Sequence, residues 1–274
     1  MCDLNGCGNS ITLPPIKVNP EQRRLFLKGI ASLPLATVLA HPDLAGAAAA
    51  SLSTVTTGLA NGEQVGAALA LPAADKAPAV LLIHEWWGLN DQIKSVAAEL
   101  AQLGYVALAV DLYHGKVAKT ADEAQALTQG VDSGEATETL ATWVKWLRDN
   151  GRTDGKVATI GWCFGGGWSL NASIAAPVDA TVIYYGSVQQ PAAQLKALKG
   201  PVLGHFATRD GWINEKMVNG FKEEMGKAGK ADMLTVYWYD ADHAFANPTG
   251  ARYDAEDAAL AWQRTRDFLK KNIG

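Results

Sequence analysis

Apolar, β-branched runs alternate with segments of helical spacing along most of this 274-residue chain, and that alternation limits the possible folds more than any other feature. Residues 79–84, 105–110, 156–161, 180–185, 201–207 and 234–239 read as strands. Between them, 91–103, 121–129, 134–150, 166–175, 215–227 and 255–271 carry apolar residues at helical intervals, with Gly104 placed to end the first. Alternating residues across 55–71, interrupted by Asn61-Gly62, predict a hairpin ahead of this series. Strands that are apolar throughout are buried on both faces. The expected fold class is therefore α/β, with a mainly parallel central sheet and helices on both faces. At 48% hydrophobic and 19% charged, the chain carries enough apolar surface for one large core.

The first fifty residues break the pattern. Arg23-Arg24-Leu25-Phe26-Leu27-Lys28 precedes a mostly apolar stretch over 29–40 and a small-residue run over 45–50 that offers A-x-A cleavage sites. This reads as a twin-arginine export signal over 1–50 ahead of a catalytic domain over 51–274, with periplasmic or otherwise exported localisation and transient engagement of the twin-arginine export machinery. An apolar helix over 29–40 would be about 18 Å long, short of a hydrocarbon core of roughly 30 Å, so no membrane span is expected after processing. Cys2 and Cys7 fall in the leader, which leaves Cys163 alone in the domain and excludes an internal disulfide there. A formal charge of −4 gives no electrostatic reason to expect nucleic acid or an anionic membrane as partner. A monomer acting on a small molecule is expected.

In parallel sheets, ligands sit beyond the carboxyl ends of the strands. Immediately after the strand at 156–161 comes Gly161-Trp162-Cys163-Phe164-Gly165-Gly166, a G-x-C-x-G form of the nucleophile elbow of α/β-hydrolases. Glycines permit the close backbone approach of a sharp strand-to-helix turn, and a cysteine there meets the dipole of the following helix. Asp210 follows the strand at 201–207, and His243 follows the strand at 234–239. Nucleophile, acid and histidine in this order suit a triad in which His243 is the base for Cys163 and Asp210 fixes the imidazole tautomer. Read singly, Asp210 is equally a loop carboxylate and His243 a turn histidine. The backbone N–H groups of Phe164 and Trp86 are the candidate oxyanion donors. His205, within a strand, is expected in the core. His84-Glu85 lacks the second histidine of a zinc motif, so no metal is expected, and acyl transfer to water needs no organic cofactor.

His84-Glu85-Trp86-Trp87-Gly88-Leu89-Asn90, Asp111-Leu112-Tyr113, the cysteine turn, Tyr184-Tyr185-Gly186, Asp210, His243-Ala244-Phe245-Ala246 and Gln263-Arg264-Thr265-Arg266-Asp267-Phe268-Leu269 together resemble the dienelactone hydrolase (carboxymethylenebutenolidase) family. The resemblance implies an α/β-hydrolase fold, ester or lactone hydrolysis through a thioester, and a carboxylate at Glu85 that holds and helps activate the thiol. Trp87, Tyr113, Tyr185 and Phe245 are then expected to line the substrate pocket. Two arginines that hold the dienelactone carboxylate in that family are replaced by Gly115 and Asn247, so anionic lactones should bind poorly unless Arg209 or Arg252 substitutes. The competing readings are a general carboxylesterase or thioesterase without lactone preference, and a pocket-binding protein without catalysis.

Overall fold

A computed structural model describes residues 42–274 of the chain. The twin-arginine motif at Arg23-Arg24 and the apolar stretch after it lie outside the described residues. An eight-stranded sheet runs in the order β1 (Ser53–Gly58), β2 (Gln64–Ala70), β4 (Val106–Val110), β3 (Ala77–Ile83), β5 (Thr153–Trp162), β6 (Ala180–Tyr184), β7 (Val202–Ala207), β8 (Leu234–Tyr239). β1 pairs antiparallel with β2 and β2 antiparallel with β4, while every later pairing is parallel. The predicted hairpin is β1–β2, turned at Gly62, whose φ of 87° suits glycine.

Strand β3 shows why the sheet is covered twice. Val80 and Leu82 point into a core shared with Ile93, Val96 and Leu100 of helix α2 (Asp91–Gln102) and Ala261 and Leu269 of helix α8 (Ala255–Asn272). Leu81 and Ile83 point the other way, against Leu140, Trp143 and Leu147 of helix α4 (Ser133–Asp149). Helices α5 (Phe164–Ala175) and α7 (Glu215–Lys227) extend that second layer over β6 and β7. A short helix α3 (Ala121–Gln129) precedes α4, and α6 (Ala192–Leu195) follows β6. The side chains of Asn90, Thr120, Asp132, Asn214 and Asp254 cap α2, α3, α4, α7 and α8. His205 sits in the core as expected, bonded to the hydroxyls of Tyr239 at 2.8 Å and Thr265 at 3.0 Å, and burial holds its imidazole neutral.

The small-residue run at 45–50 is helical in part. Helix α1 (Pro42–Ala49) buries Ala45, Ala48 and Ala49, and the carbonyl of Ala45 accepts from the Ser95 hydroxyl of α2 at 2.9 Å. Helix α1 thus lies ahead of residue 51, the start of the domain as read from the sequence.

Candidate active site

Strand β5 hands over to α5 at Cys163, whose φ of 54° and ψ of −116° are strained for any residue but glycine. Close contacts enforce the turn. A Cβ on Gly161 would lie 1.9 Å from the carbonyl oxygen of Gly165, and one on Gly165 would lie 2.3 Å from that of Ile83. The amide of Cys163 donates to the carbonyl of Tyr184 at 3.0 Å, which pins the bend to β6. Unlike the five capped helices, α5 begins with no side-chain cap; the amides of Gly166 and Gly167 donate to the Cys163 carbonyl at 3.0 and 3.3 Å, and the Phe164 amide gains no side-chain acceptor from residue 163.

Two backbone bonds bring the other members together. Thr208 N–H donates to the Tyr239 carbonyl at 2.9 Å and Arg209 N–H to the Ala241 carbonyl at 3.1 Å, so the segments that follow β7 and β8 are laced side by side. Asp210 and His243 therefore meet: Nδ1–H of His243 donates to Oδ2 of Asp210 at 2.6 Å, and the Cys163 thiol reaches Nε2 at 3.2 Å. The other carboxylate oxygen of Asp210 accepts from the amides of Trp212 at 2.8 Å and Ile213 at 3.0 Å. Burial alone would raise the Asp210 carboxyl, but the bond and charge of His243 and these two amides outweigh it and leave the group below the usual carboxylate range. Asp240 and Asp242 instead pair with Arg209, the second at 3.6 Å.

Glu85 is 3% exposed at the end of β3. His84 braces it: the Leu112 amide donates to His84 Nε2 at 3.2 Å, so Nδ1 carries the proton and donates to the Glu85 carbonyl at 2.6 Å. The Glu85 carboxyl accepts from the amide of Asn247 and, at 3.4 Å, from the hydroxyl of Tyr185. Burial raises this carboxyl to about 7, against the lowering effect of Asn247, Tyr185 and the nearby Arg252 charge. Asn247 and Tyr185 give Glu85 its partners, roles that strand and helix periodicity cannot signal.

The aromatic residues divide. Tyr185 lies against His243 with the rings tilted and their centroids 5.2 Å apart, and Phe245 packs on Tyr185 at 5.4 Å; both are fully buried. Tyr113 packs against His84 and Phe164, and its hydroxyl pairs with Thr128 at 2.9 Å. It also lines a cleft of about 230 Å³ with Asp111, His114 and Glu135, whose lining contains no member of the Cys163 group. Trp86 and Trp87 are half-buried and in edge contact at 5.0 Å. Trp212 is 46% exposed, edge-on to His243 at 5.4 Å, with the Arg252 guanidinium 5.6 Å from its ring centre. Glu63, His114 and Glu135 gather at the surface with ligand atoms within 4.8 Å of one another. Glu63 meets His114 Nδ1 at 3.8 Å and Glu135 meets Nε2 at 3.0 Å, so the ring bridges two carboxylates rather than turning one nitrogen to a shared centre.

A mainly parallel eight-stranded sheet, with a sharp cysteine-bearing turn after the central strand β5, places the chain among the α/β-hydrolases. The family follows from sequence: residues 65–273 match the dienelactone hydrolase family, and the chain belongs to it. It is 29% identical over 224 residues to a carboxymethylenebutenolidase of Pseudomonas putida, covering 76% of this chain and 92% of that protein. It is 31% identical over 223 residues to the protein usf of Aquifex pyrophilus, covering 78% and 96%. A solved dienelactone hydrolase-like promiscuous phosphotriesterase from metagenomic libraries shares the fold at a TM-score of 0.73 and 24% identity, over 81% of this chain and 99% of that one.

Proposed function

We propose that the protein hydrolyses a small ester or lactone through a thioester formed on Cys163. One observation carries the reading: an unbroken line from Asp210 through His243 to the Cys163 sulfur, at 2.6 and 3.2 Å. The thiol proton passes to Nε2 of His243, the sulfur attacks the carbonyl carbon, and the amides of Phe164 and Trp86 receive the oxyanion. The C–O bond breaks as the imidazolium returns its proton to the leaving alkoxide. His243 then takes a proton from water as hydroxide attacks the thioester, the C–S bond breaks, the acid departs, and the imidazolium returns its proton to the sulfur to restore the thiol. Mixing the enzyme with an activated ester, quenching in acid and digesting is expected to give a peptide acylated at Cys163. An unmodified Cys163 peptide under conditions of rapid turnover would overturn the thioester.

The favoured substrate is neutral. Gly115 offers no side chain, Asn247 is engaged with Glu85, and Arg209 is engaged with Asp240 and Asp242. Among the described residues, the arginine whose charge acts on Glu85 is Arg252, which lies over the Trp212 ring.

Export is part of the proposal. Its support is Arg23-Arg24-Leu25-Phe26-Leu27-Lys28 ahead of the apolar stretch. Replacing both arginines by lysine is expected to retain active enzyme in the cytoplasmic fraction; unchanged export would reject the twin-arginine route.

A further inference from the structure

Glu85 depends on an amide that cannot turn. The Asn247 side chain is 3% exposed, and its Oδ1 accepts twice from Thr249, from the backbone N–H at 2.9 Å and from the hydroxyl at 2.7 Å. With both donors on the oxygen, the amide nitrogen must face the Glu85 carboxyl, to which it donates. The segment Asn247-Pro248-Thr249 is thus a fixed bracket for a buried acid, supplied by the same loop that carries His243. The other ionisable groups facing Glu85 are the Tyr185 phenol, which follows β6, and the Arg252 guanidinium, ahead of α8. His243 lies against the same Tyr185 ring, its centroid 5.2 Å away.

We propose that Asn247 is a positioning residue: locked by Thr249, its amide fixes the Glu85 carboxyl against Tyr185 and governs when that carboxyl carries charge beside the phenol whose ring lies against His243. A neutral donor stabilises a buried carboxylate less than a bonded cation does, so Glu85 gains and loses its proton near neutrality instead of staying ionised. Burial pushing the carboxyl to about 7 agrees with this geometry. The inference rests on the thioester reading only in linking Glu85 to turnover; the link between Asn247 and Glu85 stands apart from it.

Two measurements keep these separate. The first follows the Glu85 carboxyl by carbon-13 NMR in protein labelled at glutamate carboxyls, with Glu85→Gln for assignment, in the native sequence, Asn247→Leu and Thr249→Val. The Asn247→Leu titration is expected to move upward by about one to two pH units, the worth of one hydrogen bond to a charged group. Thr249→Val should move it the same way by less, since the backbone N–H of residue 249 still holds the amide. The second is the pH dependence of kcat/KM on a neutral ester, whose Glu85-dependent limb should move by the same amounts. A Glu85 titration unchanged in both variants overturns the proposal whatever the activity. Thr249 is exposed, so its variant folds even if Asn247→Leu does not, and it alone then decides. Should the native enzyme form no thioester, the carboxyl titration still answers the question.

Discussion

Cys163→Ala is expected to lower kcat for a small activated ester by roughly a thousandfold or more while leaving the fold intact. The substitution removes one sulfur from a half-buried position and leaves the turn that presents it, because Gly161, Gly165 and the bond from residue 163 to the Tyr184 carbonyl impose the bend. Alanine at φ 54° is no more strained than cysteine. Thermal unfolding measured on the same samples should therefore show at most a small shift, about 1 kcal/mol for a deletion of this size. Turnover equal to that of the native enzyme would place the chemistry elsewhere. Loss of turnover with a collapsed melting transition would mark Cys163 as structural.

Asp210→Asn is expected to cost nearly as much, about a thousandfold to ten-thousandfold in kcat, with no atom lost from the packing. Asparagine would keep its oxygen toward the amides of Trp212 and Ile213, now satisfied at 2.8 and 3.0 Å, and turn its NH₂ toward His243 Nδ1. Two donors cannot face each other, so the ring proton moves to Nε2, the nitrogen that meets the Cys163 sulfur at 3.2 Å. The base is then absent although every residue stands in place. The stability effect has a definite sign. Because the Asp210 carboxyl is lowered in the folded state, its contribution is complete above the unfolded carboxylate value and is lost as pH falls through the folded one. The native and Asp210→Asn melting temperatures should therefore converge in acid, and a gap that widens there would contradict the assignment.

The continuous apolar runs and helical patterns place β3 to β8 and the six longer helices among them close to their observed bounds, because apolar burial on both sheet faces is written residue by residue. The order of Cys163, Asp210 and His243 could be read for a related reason: parallel topology puts every strand end on one side of the sheet, so loops distant in sequence become neighbours. Helix α1 was not legible, since an alanine-rich run that offers cleavage sites has no pattern that announces a helix seated on α2. Nor was the bracket on Glu85: Asn247-Pro248-Thr249 reads as an ordinary turn until the fold brings a buried carboxyl to it. Of the residues expected to line the pocket, Tyr185 and Phe245 are fully buried and Tyr113 lines the separate cleft of His114 and Glu135, side-chain directions that the sequence pattern does not carry.

The bare start of α5 has a thermodynamic consequence. An uncapped N-terminus forgoes about 1 kcal/mol that a serine or aspartate would supply, and the other five long helices capped by side chains do not accept that loss. The acceptor proposed for the Phe164 amide is the negative oxygen of the reacting carbonyl. On the proposed mechanism, a molecule undergoing hydrolysis briefly finishes the secondary structure of its own catalyst, so folding energy withheld from the resting protein is released only at the moment of bond rearrangement.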